Sequence, residues 1–226
     1  MEKTKKLIIF GDSSFAEIAY EYFTYDSDYK VVAFTVSKEY LKQKTKFGLP
    51  VIPFETLERK YSPKNHYIYV ALVYNVLNRV REQFYNLAKE KGYRLANYIS
   101  SCAFVWKNVT LGDNVFIFED NTVQPFVKLG SNIILWSGNH IGHHSTIGDH
   151  CFISSQVVIS GHCNIGKNSF LGVNATVINN INVGKDCLIG ANTLIVKNTE
   201  VGKLFKGISS KPDEISIYEK FNIKQK

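Results

Sequence analysis

The chain has 226 residues, of which 45% are hydrophobic and 21% are charged, a composition typical of a folded protein with one or two domains. This excludes a disordered chain, a collagen and a disulfide-rich miniprotein, and no apolar run approaches the ~20 residues of a membrane-spanning helix. The net charge of +7 comes from scattered Lys and Arg residues without a basic block, so we expect no nucleic-acid partner.

The amino-terminal part of the chain alternates between strand-like and helix-like segments. Strands are predicted at 7–10, 31–36, 66–74 and 93–98, and helices from Ser13 or Ser14 to Phe23 and over 76–91. Strands that alternate with helices favour a small parallel α/β sheet. No signal peptide precedes the first strand, so we expect a cytoplasmic protein without membrane insertion.

The loop after the first strand, GDSSFAE, is a candidate phosphate site. It keeps a single glycine, Gly11, and lacks GxGxxG, which argues against dinucleotide oxidoreductase chemistry. The N–H groups at the start of the following helix, with the hydroxyls of Ser13 and Ser14, are suited to holding phosphates.

Beyond residue 98 an aliphatic residue falls at every sixth position without a slip. Eighteen consecutive matches exclude chance, since Ile, Leu and Val make up only about a quarter of an average chain. The positions are Ile99, Val105, Leu111, Ile117, Val123, Leu129, Leu135, Ile141, Ile147, Ile153, Ile159, Ile165, Leu171, Val177, Val183, Ile189, Ile195 and Val201.

The fourth residue of the hexad is Asn, Asp, His or Gly in fourteen of the eighteen repeats. These residues tolerate a left-handed backbone best, so each hexad predicts a short strand that ends in a tight corner. Three such units form one triangular coil, and the repeats predict about six coils stacked ~4.8 Å apart. The carboxy-terminal half is therefore predicted to be a parallel β-helix.

The fifth position of the hexad is predicted to face inward. Cys151 and Cys187 share this position but lie two coils apart, ~9.6 Å, which is too far for a disulfide, so reduced thiols are expected. Asn121 and Asn139 lie one coil apart there, and we expect their amides to form an internal hydrogen-bonded ladder.

Five of the six histidines lie between residues 140 and 162. His144, His150 and His162 occupy the corner position, where a histidine is either a tolerated left-handed residue or a functional group. His143 occupies the third, outward position, which has no backbone requirement for imidazole, so we predict it as a general base. Gly161 lies one coil along from His143, and its N–H is the predicted oxyanion donor.

The run from Ile134 to Asn192, which contains IGHHSTIGDH, resembles the sugar-acyltransferase branch of the hexapeptide-repeat transferases. That branch includes bacillosamine and perosamine N-acetyltransferases and sialic acid O-acetyltransferases. The segments IIFGDSSFAEIAY and GLPVIPFETL resemble its small nucleotide-sugar-binding domain, so the resemblance covers nearly the whole chain. It implies a Rossmann-like amino-terminal domain followed by a left-handed parallel β-helix.

The resemblance also implies an activity. It is the acetyl-CoA-dependent N-acetylation of a nucleotide-linked 3- or 4-amino-deoxyhexose for surface-polysaccharide biosynthesis, such as O-antigen. The family's catalytic histidine falls on His143, and the amide that binds the acetyl carbonyl falls on Gly161. In such enzymes acetyl-CoA lies between adjacent prisms of a homotrimer, so the active sites lie between subunits, and no metal is required.

The remaining predicted site residues fall into three groups. His144 and His162 are auxiliary candidates beside the catalytic pair. The residues assigned to the coenzyme are Gly161, Asn179, Ala191 and Lys206. The residues assigned to the nucleotide sugar are Gly11, Asp12, Ser13, Ser14, Thr35 and Trp136.

The chain departs from its relatives at several positions. Many relatives have an acidic residue directly after the catalytic histidine, whereas this chain has His144, which leaves open what orients His143. Trp136 and Phe152 replace a polar residue and a histidine, so we expect a reshaped sugar pocket in which Trp136 either stacks on a ring or packs in a subunit interface. Thr35 stands where some relatives place an acid against uridine, so the nucleotide need not be UDP.

Three alternatives stay open. Within the family, the alternative is O-acetylation of the sialic acid type. A zinc lyase resembling the β-helical carbonic anhydrases would use three histidines per metal. Against it, that family lacks the amino-terminal domain, and consecutive histidines are expected to diverge on a β corner. A non-catalytic scaffold that uses the prism as a spacer is the third.

The domain boundaries that we predict are 1–97 for the nucleotide-sugar domain, 98–207 for the β-helix and 208–226 for a tail. The tail breaks the hexad, and we expect it to cap the last coil, since repeat proteins need capped ends.

Overall fold

The computed structural model describes residues 3–207 and 209–224. An α/β domain comes first, with a six-stranded sheet in the order β3-β4-β2-β1-β5-β6 that is parallel except for the β3–β4 pair. Its strands are β1 Lys5–Phe10, β2 Tyr29–Val36, β3 Thr45–Lys46, β4 Leu49–Pro53, β5 Tyr67–Val70 and β6 Arg94–Leu95. Its helices are α1 Ser14–Tyr25, α2 Arg79–Glu90 and two 3-10 helices, Lys38–Tyr40 and Phe54–Arg59.

The parallel sheet predicted from the alternating segments is confirmed, with two local differences. Helix α2 begins at Arg79 rather than at residue 76, because the three preceding residues, Val76, Leu77 and Asn78, have a left-handed backbone. The predicted last strand is divided between two sheets, since β6 ends at Leu95 and the first β-helix strand begins three residues later, at Tyr98. No helix among the described residues is long and apolar enough to cross a lipid bilayer.

From residue 98 the chain winds into a three-sided parallel β-helix with one two-residue strand per hexad. Face one is formed by β7 Tyr98–Ile99, β10 Phe116–Ile117, β13 Ile134–Leu135, β16 Phe152–Ile153, β19 Phe170–Leu171, β22 Leu188–Ile189 and β24 Leu204–Phe205. Face two is formed by β8 Phe104–Val105, β11 Thr122–Val123, β14 His140–Ile141, β17 Val158–Ile159, β20 Thr176–Val177 and β23 Leu194–Ile195. Face three is formed by β9 Thr110–Leu111, β12 Lys128–Leu129, β15 Thr146–Ile147, β18 Asn164–Ile165 and β21 Asn182–Val183.

The corners of the coils have the predicted conformation. The fourth residue of every hexad from Asn114 to Asn192 has a positive φ. Phe126 and Gln156 adopt it as well, at φ 65° and 60°, although neither residue type favours it. The aliphatic residues at the first position of each hexad, from Ile117 to Ile195, are buried in one continuous core. The six-residue period therefore predicts which side chains fill the interior of the prism.

The last predicted repeat is wrong. Ile189 pairs with Phe205 rather than with a residue eighteen positions on, so the final coil is two residues short. Val201, which the period places in the core, is 56% exposed, and Phe205 packs against the core where the period would place Gly207. The tail does not cap this coil within one chain, because the side chains of residues 209–224, including helix α3 Ile217–Lys220, are exposed.

The predictions for the fifth hexad position have different outcomes. All four cysteines are free, and Cys151, Cys163 and Cys187 are buried, as expected of reduced packing residues. The amides of Asn121 and Asn139 do not bond to each other. Both side chains donate to the backbone carbonyl of Trp136, because the tight corner presents that carbonyl to the interior.

The α/β domain packs against face one through an aromatic cluster that contains residues of both domains. Phe15 and Phe23 of α1 contact Phe116, with ring centroids 5.7 and 5.8 Å apart, and Phe15 also contacts Trp136 at 5.6 Å. These rings lie in one buried core with Tyr69 and the outward residues of face one. The two domains therefore share apolar surface rather than touching only at a linker.

A polar ladder at the edge between faces three and one completes the junction. Asn114 donates to Asn132, and Asn132 contacts Nδ1 of His150, each at 2.8 Å, while the backbone N–H of Val70 donates to Asn114. The fully buried guanidinium of Arg81 donates to the carbonyls of Val73, Asn132, His150 and Cys151. The β-helix corner thus binds the α2 side chain through its backbone oxygens.

His150 makes this junction sensitive to acid. Burial lowers its pKa from 6.5 to about 4, and Nδ1 accepts a hydrogen bond that the protonated ring cannot accept. The unfolded chain takes up this proton at a higher pH than the folded chain, so the contribution to stability is present above pH 6.5 and is lost on the way to pH 4.

We predict that His150→Asn flattens the acid dependence of stability, because asparagine fits the left-handed corner, accepts the same hydrogen bond and does not titrate. The wild-type chain should lose about 2 kcal/mol of unfolding free energy through this group between pH 7 and pH 5. Urea unfolding at a series of pH values measures the effect. An equal slope in both proteins over this interval contradicts the prediction.

Candidate active site

His143 lies at the edge between faces two and three, after β14 and before β15, with its side chain exposed. The neighbouring coils fix its backbone on both sides. Its N–H donates to Oε1 of Gln124 at 2.9 Å, and its carbonyl accepts from the N–H of His162 at 2.9 Å. The sequence prediction that this imidazole points outward from a rigid edge is what the structure has.

The partner of the His143 ring is another imidazole. Its Nδ1 lies 3.1 Å from Nδ1 of His144. Among the residues that the structure describes, His150 is the one histidine that forms an ion pair, with Glu82. No carboxylate in the described part of the chain therefore pairs with His143. The expectation that consecutive histidines diverge on a β corner is therefore wrong. The contact was not predictable from hexad phase, because it depends on side-chain torsions.

Gly161 lies directly below the His143 ring. A Cβ atom on Gly161 would lie 2.9 Å from Cε1 and Nε2 of His143, so only glycine leaves room for the imidazole. The N–H of Gly161, predicted as a free oxyanion donor, is already hydrogen-bonded to Oδ1 of Asn179 at 3.0 Å. An incoming oxyanion has to replace this exposed amide side chain to reach the donor.

His144 and His162 are stacked along the same edge. His144 lies between Phe126, at 4.6 Å between ring centroids, and His162, at 4.9 Å. All three residues have a left-handed backbone, so successive corners place their rings one above the other. The stack holds the His144 ring beside His143, at the position where many relatives have an acidic residue.

A pocket of about 300 Å³ lies at the carboxyl ends of β1, β2 and β5, beside the start of α1. Of the predicted substrate residues, Gly11, Asp12 and Ser13 line it. Gly11 has φ 120°, and a Cβ there would lie 2.9 Å from the carbonyl oxygen of Ala71, so glycine is required. Ser13 caps α1 without a hydrogen bond from its hydroxyl to the helix.

Two other predicted residues do not line this pocket. Thr35 is fully buried, and its hydroxyl donates to the carbonyl of Ile52 at 2.7 Å, because the inward face of a central strand has no access to solvent. Ser14, the first residue of α1, is exposed outside the pocket lining. The pocket is completed by residues that the sequence analysis missed: Phe10, Val36, Ser37, Tyr40, Leu72, Asn75, Val80 and Phe84. Phe10, Val36, Ser37 and Leu72 lie at or just after the carboxyl ends of parallel strands, a place that the sequence pattern indicates, whereas Tyr40, Val80 and Phe84 lie on helices that only the tertiary structure brings to the pocket.

A second pocket of about 300 Å³ lies at the edge between faces one and two. Trp136 lines it, with Val73, Tyr74, Phe152, Ser154, Ser155 and Val173. Trp136 also packs 4.3 Å from Phe118 and 6.0 Å from Phe152, ring centroid to centroid. It therefore belongs to the domain junction as well as to a pocket wall.

The residues predicted for the coenzyme are not brought together in one chain. Asn179 follows β20 and lies on the same edge as His143, whereas Ala191 and Lys206 follow β22 and β24 on the edge between faces one and two. Both pockets lie on the side of face one, and His143 lies on the edge opposite that face. Within one chain, the pockets and the imidazole are thus on different sides of the prism.

Two family models match the β-helix. Residues 126–161 match the bacterial transferase hexapeptide (six repeats), and residues 163–197 match the hexapeptide repeat of succinyl-transferase. The prediction that the six-residue period is that of the hexapeptide-repeat transferases is confirmed. A search among curated proteins finds no match.

Several solved structures are similar over most of the chain. The acetyltransferase domain of PglB from Neisseria gonorrhoeae is 24% identical with a TM-score of 0.79, over 88% of this chain and 95% of that one. The perosamine N-acetyltransferase PerB from Caulobacter crescentus is 23% identical with a TM-score of 0.76, over 88% and 92%. WeeI from Acinetobacter baumannii is 19% identical with a TM-score of 0.68, over 89% and 96%. These similarities confirm the fold class, an α/β domain followed by a left-handed parallel β-helix.

Proposed function

We propose that the chain is an acetyl-CoA-dependent N-acetyltransferase that acts on a nucleotide-linked amino sugar. The observation that carries the proposal is the exposed His143 imidazole, which lies beside Gly161 on a rigid β-helix edge and has Nδ1 engaged by His144. Similar solved structures include the PglB domain in complex with acetyl coenzyme A and PerB in complex with CoA and GDP-perosamine.

The hydrogen bond between the two imidazoles determines which nitrogen acts as the base. When Nδ1–H of His143 donates to Nδ1 of neutral His144, the lone pair of His143 is left on Nε2. As the amine nitrogen attacks the thioester carbonyl, Nε2 takes the amine proton. The C–S bond then breaks while the imidazolium gives this proton to the sulfur, which releases the coenzyme as its thiol and restores the base. His144 is thus a positioning residue that keeps His143 in the reactive tautomer.

The negative charge that develops on the carbonyl oxygen needs a donor. Gly161 lies beside the imidazole, and its N–H is the donor in this proposal, once Asn179 releases it. Asn179 keeps the buried N–H satisfied in the free protein, and its exposed side chain is free to rotate away. The exchange replaces one acceptor of this N–H by another, so no buried donor is left unpaired.

The pocket around Gly11 and Ser13 is our proposed nucleotide site. The pocket lies beside the start of α1, where the helix N–H groups favour an anionic ligand such as a diphosphate. Tyr40 and Phe84 supply aromatic walls for a base or a ribose. The pocket with Trp136 and Phe152 is our proposed sugar site, since aromatic rings stack on the apolar face of a deoxyhexose.

We propose that two chains form each site, within a homotrimer. In one chain, the pocket with Trp136 and the His143 side chain lie at the two opposite edges of face two. Large exposed apolar side chains lie on face two, while the outward residues of face three are polar. The exposed apolar residues of face two are Phe104, Trp106, Val158, Ile178, Leu194 and Val196. Packing of face two against a neighbour brings the His143 edge of one chain to the pocket edge of the next.

The first test removes the base. We expect His143→Ala to lower kcat by about 10²- to 10⁴-fold, with the KM for acetyl-CoA little changed, because the imidazole acts on the proton and does not hold the coenzyme. Steady-state kinetics with UDP-, GDP- and dTDP-linked 3-amino and 4-amino sugars measure it. The matched control is His66→Ala in the α/β domain. Normal turnover by His143→Ala contradicts the assignment.

The second test separates a positioning role of His144 from a corner role. His144→Gly keeps the left-handed corner but removes the acceptor, so we expect kcat to fall about tenfold or more at unchanged KM. His144→Asp should restore much of kcat, because a carboxylate also accepts from Nδ1–H and tolerates the corner. If His144→Gly turns over like the wild type, His144 is only a corner residue.

The third test concerns the shared site. Ser13→Trp fills the nucleotide pocket and His143→Ala removes the base, so each protein alone should be inactive. Co-expression should recover about a quarter of wild-type activity, since random assembly pairs an intact pocket with an intact base in that share of sites. His143→Ala co-expressed with the double variant is the control and should stay inactive. Failure to recover activity in verified mixed oligomers excludes a shared site.

A further inference from the structure

Three imidazoles converge at the edge between faces two and three. One nitrogen from each of His143, His144 and His162 can be chosen so that all three lie within 4.8 Å of one another. The two Nδ1 atoms of His143 and His144 are already 3.1 Å apart. Two nitrogens that bind one tetrahedral zinc ion at bonds of ~2.0–2.1 Å are separated by about 3.3 Å, so this pair has nearly the spacing that a metal requires.

The third imidazole needs only a side-chain rotation to join them. His162 stacks on His144 with an interplanar angle of 15°, and its ring centroid lies 5.1 Å from that of His143. The backbone under the cluster is fixed, because the N–H groups of His144 and His162 donate to the carbonyls of Pro125 and His143 in adjacent coils. Rigid anchoring lowers the entropy that the protein loses when a metal binds.

The donor set selects the kind of ion. Three neutral imidazoles suit Zn²⁺, Ni²⁺, Co²⁺ or Cu²⁺, whereas Mg²⁺ and Ca²⁺ prefer oxygen ligands. No carboxylate pairs with these three histidines among residues 3–207 and 209–224. All three side chains are exposed, so water completes the coordination and the ion reaches the site from solvent.

We propose that His143, His144 and His162 bind one divalent transition-metal ion, represented by Zn²⁺, and that this ion inhibits the enzyme. When the metal takes the place of the proton between the two Nδ1 atoms, the proton of His143 moves to Nε2. The metal is then bound without a net change in protons, and Nε2 loses the lone pair that accepts the amine proton. The ion is an inhibitor here and not a cofactor.

Only the inhibition rests on the proposed function, so binding and inhibition are tested separately. Zn²⁺ is titrated into the metal-free full-length protein in a calorimeter. We expect one Zn²⁺ per chain and affinity weaker by about tenfold or more in His162→Asn and in His144→Asn, both of which keep a left-handed corner residue. The matched control is His140→Asn, which removes the other histidine of the HxxHH segment and should bind Zn²⁺ like the wild type.

Absence of Zn²⁺ binding by the wild-type protein at micromolar free metal, or equal affinity in wild type and both corner variants, overturns the site. For inhibition, wild-type acetyl transfer should fall in the concentration range where Zn²⁺ binds and recover with EDTA, while His162→Asn should need about tenfold more Zn²⁺ relative to its own activity. Equal sensitivity overturns the inhibitory role. If no variant transfers acetyl groups, the proposed function fails, and calorimetry alone decides the metal site.

Discussion

The left-handed corner, repeated at every sixth residue, is the constraint on which the rest of the structure depends. Because each coil returns after three corners, a side chain at one corner lies directly beside its equivalent in the next coil. The same rule produces the Asn114–Asn132–His150 ladder at one edge and the Phe126–His144–His162 stack at another. One edge holds the two domains together, and the other places His144 beside the candidate base. The same left-handed corner therefore produces both the domain junction and the candidate active site.

The junction between the domains has a functional consequence. Arg81 is fully buried, and none of the ion pairs among the described residues gives it a carboxylate partner. Burial lowers its pKa only to about 10, so it stays charged at neutral pH. Its donors are spread over carbonyls of two coils and of the loop after β5, which ties the α/β domain to face one. A domain fixed in this way cannot swing its pocket around the prism to His143. Under the proposed function, the base and the pocket of one active site therefore belong to two different chains.

The period of the sequence was enough to predict the β-helix, its left-handed corners, and the placement of Gly161 one coil from His143, because these depend on backbone phase alone. Features that depend on side-chain torsions could not be predicted from the period. The contact of His143 with His144, the occupation of the Gly161 amide by Asn179 and the inward hydroxyl of Thr35 are of this kind. The shortened last coil escaped prediction for another reason: Val201 keeps the aliphatic rhythm although the chain has left the register.

An imidazole beside the base changes the electrostatics of the site. A carboxylate at this position would accept the same Nδ1–H and would also stabilise the imidazolium by its charge, whereas the His144 imidazole carries no negative charge. In the proposed mechanism, the site relies more on the position of His143 and on the Gly161 donor than on charge. The phosphates of the proposed coenzyme then meet no carboxylate at position 144. Because position 144 holds a histidine instead of an acid, all three proposed metal ligands are imidazole nitrogens. A divalent transition-metal ion and a proton therefore compete for the position between the Nδ1 atoms of His143 and His144.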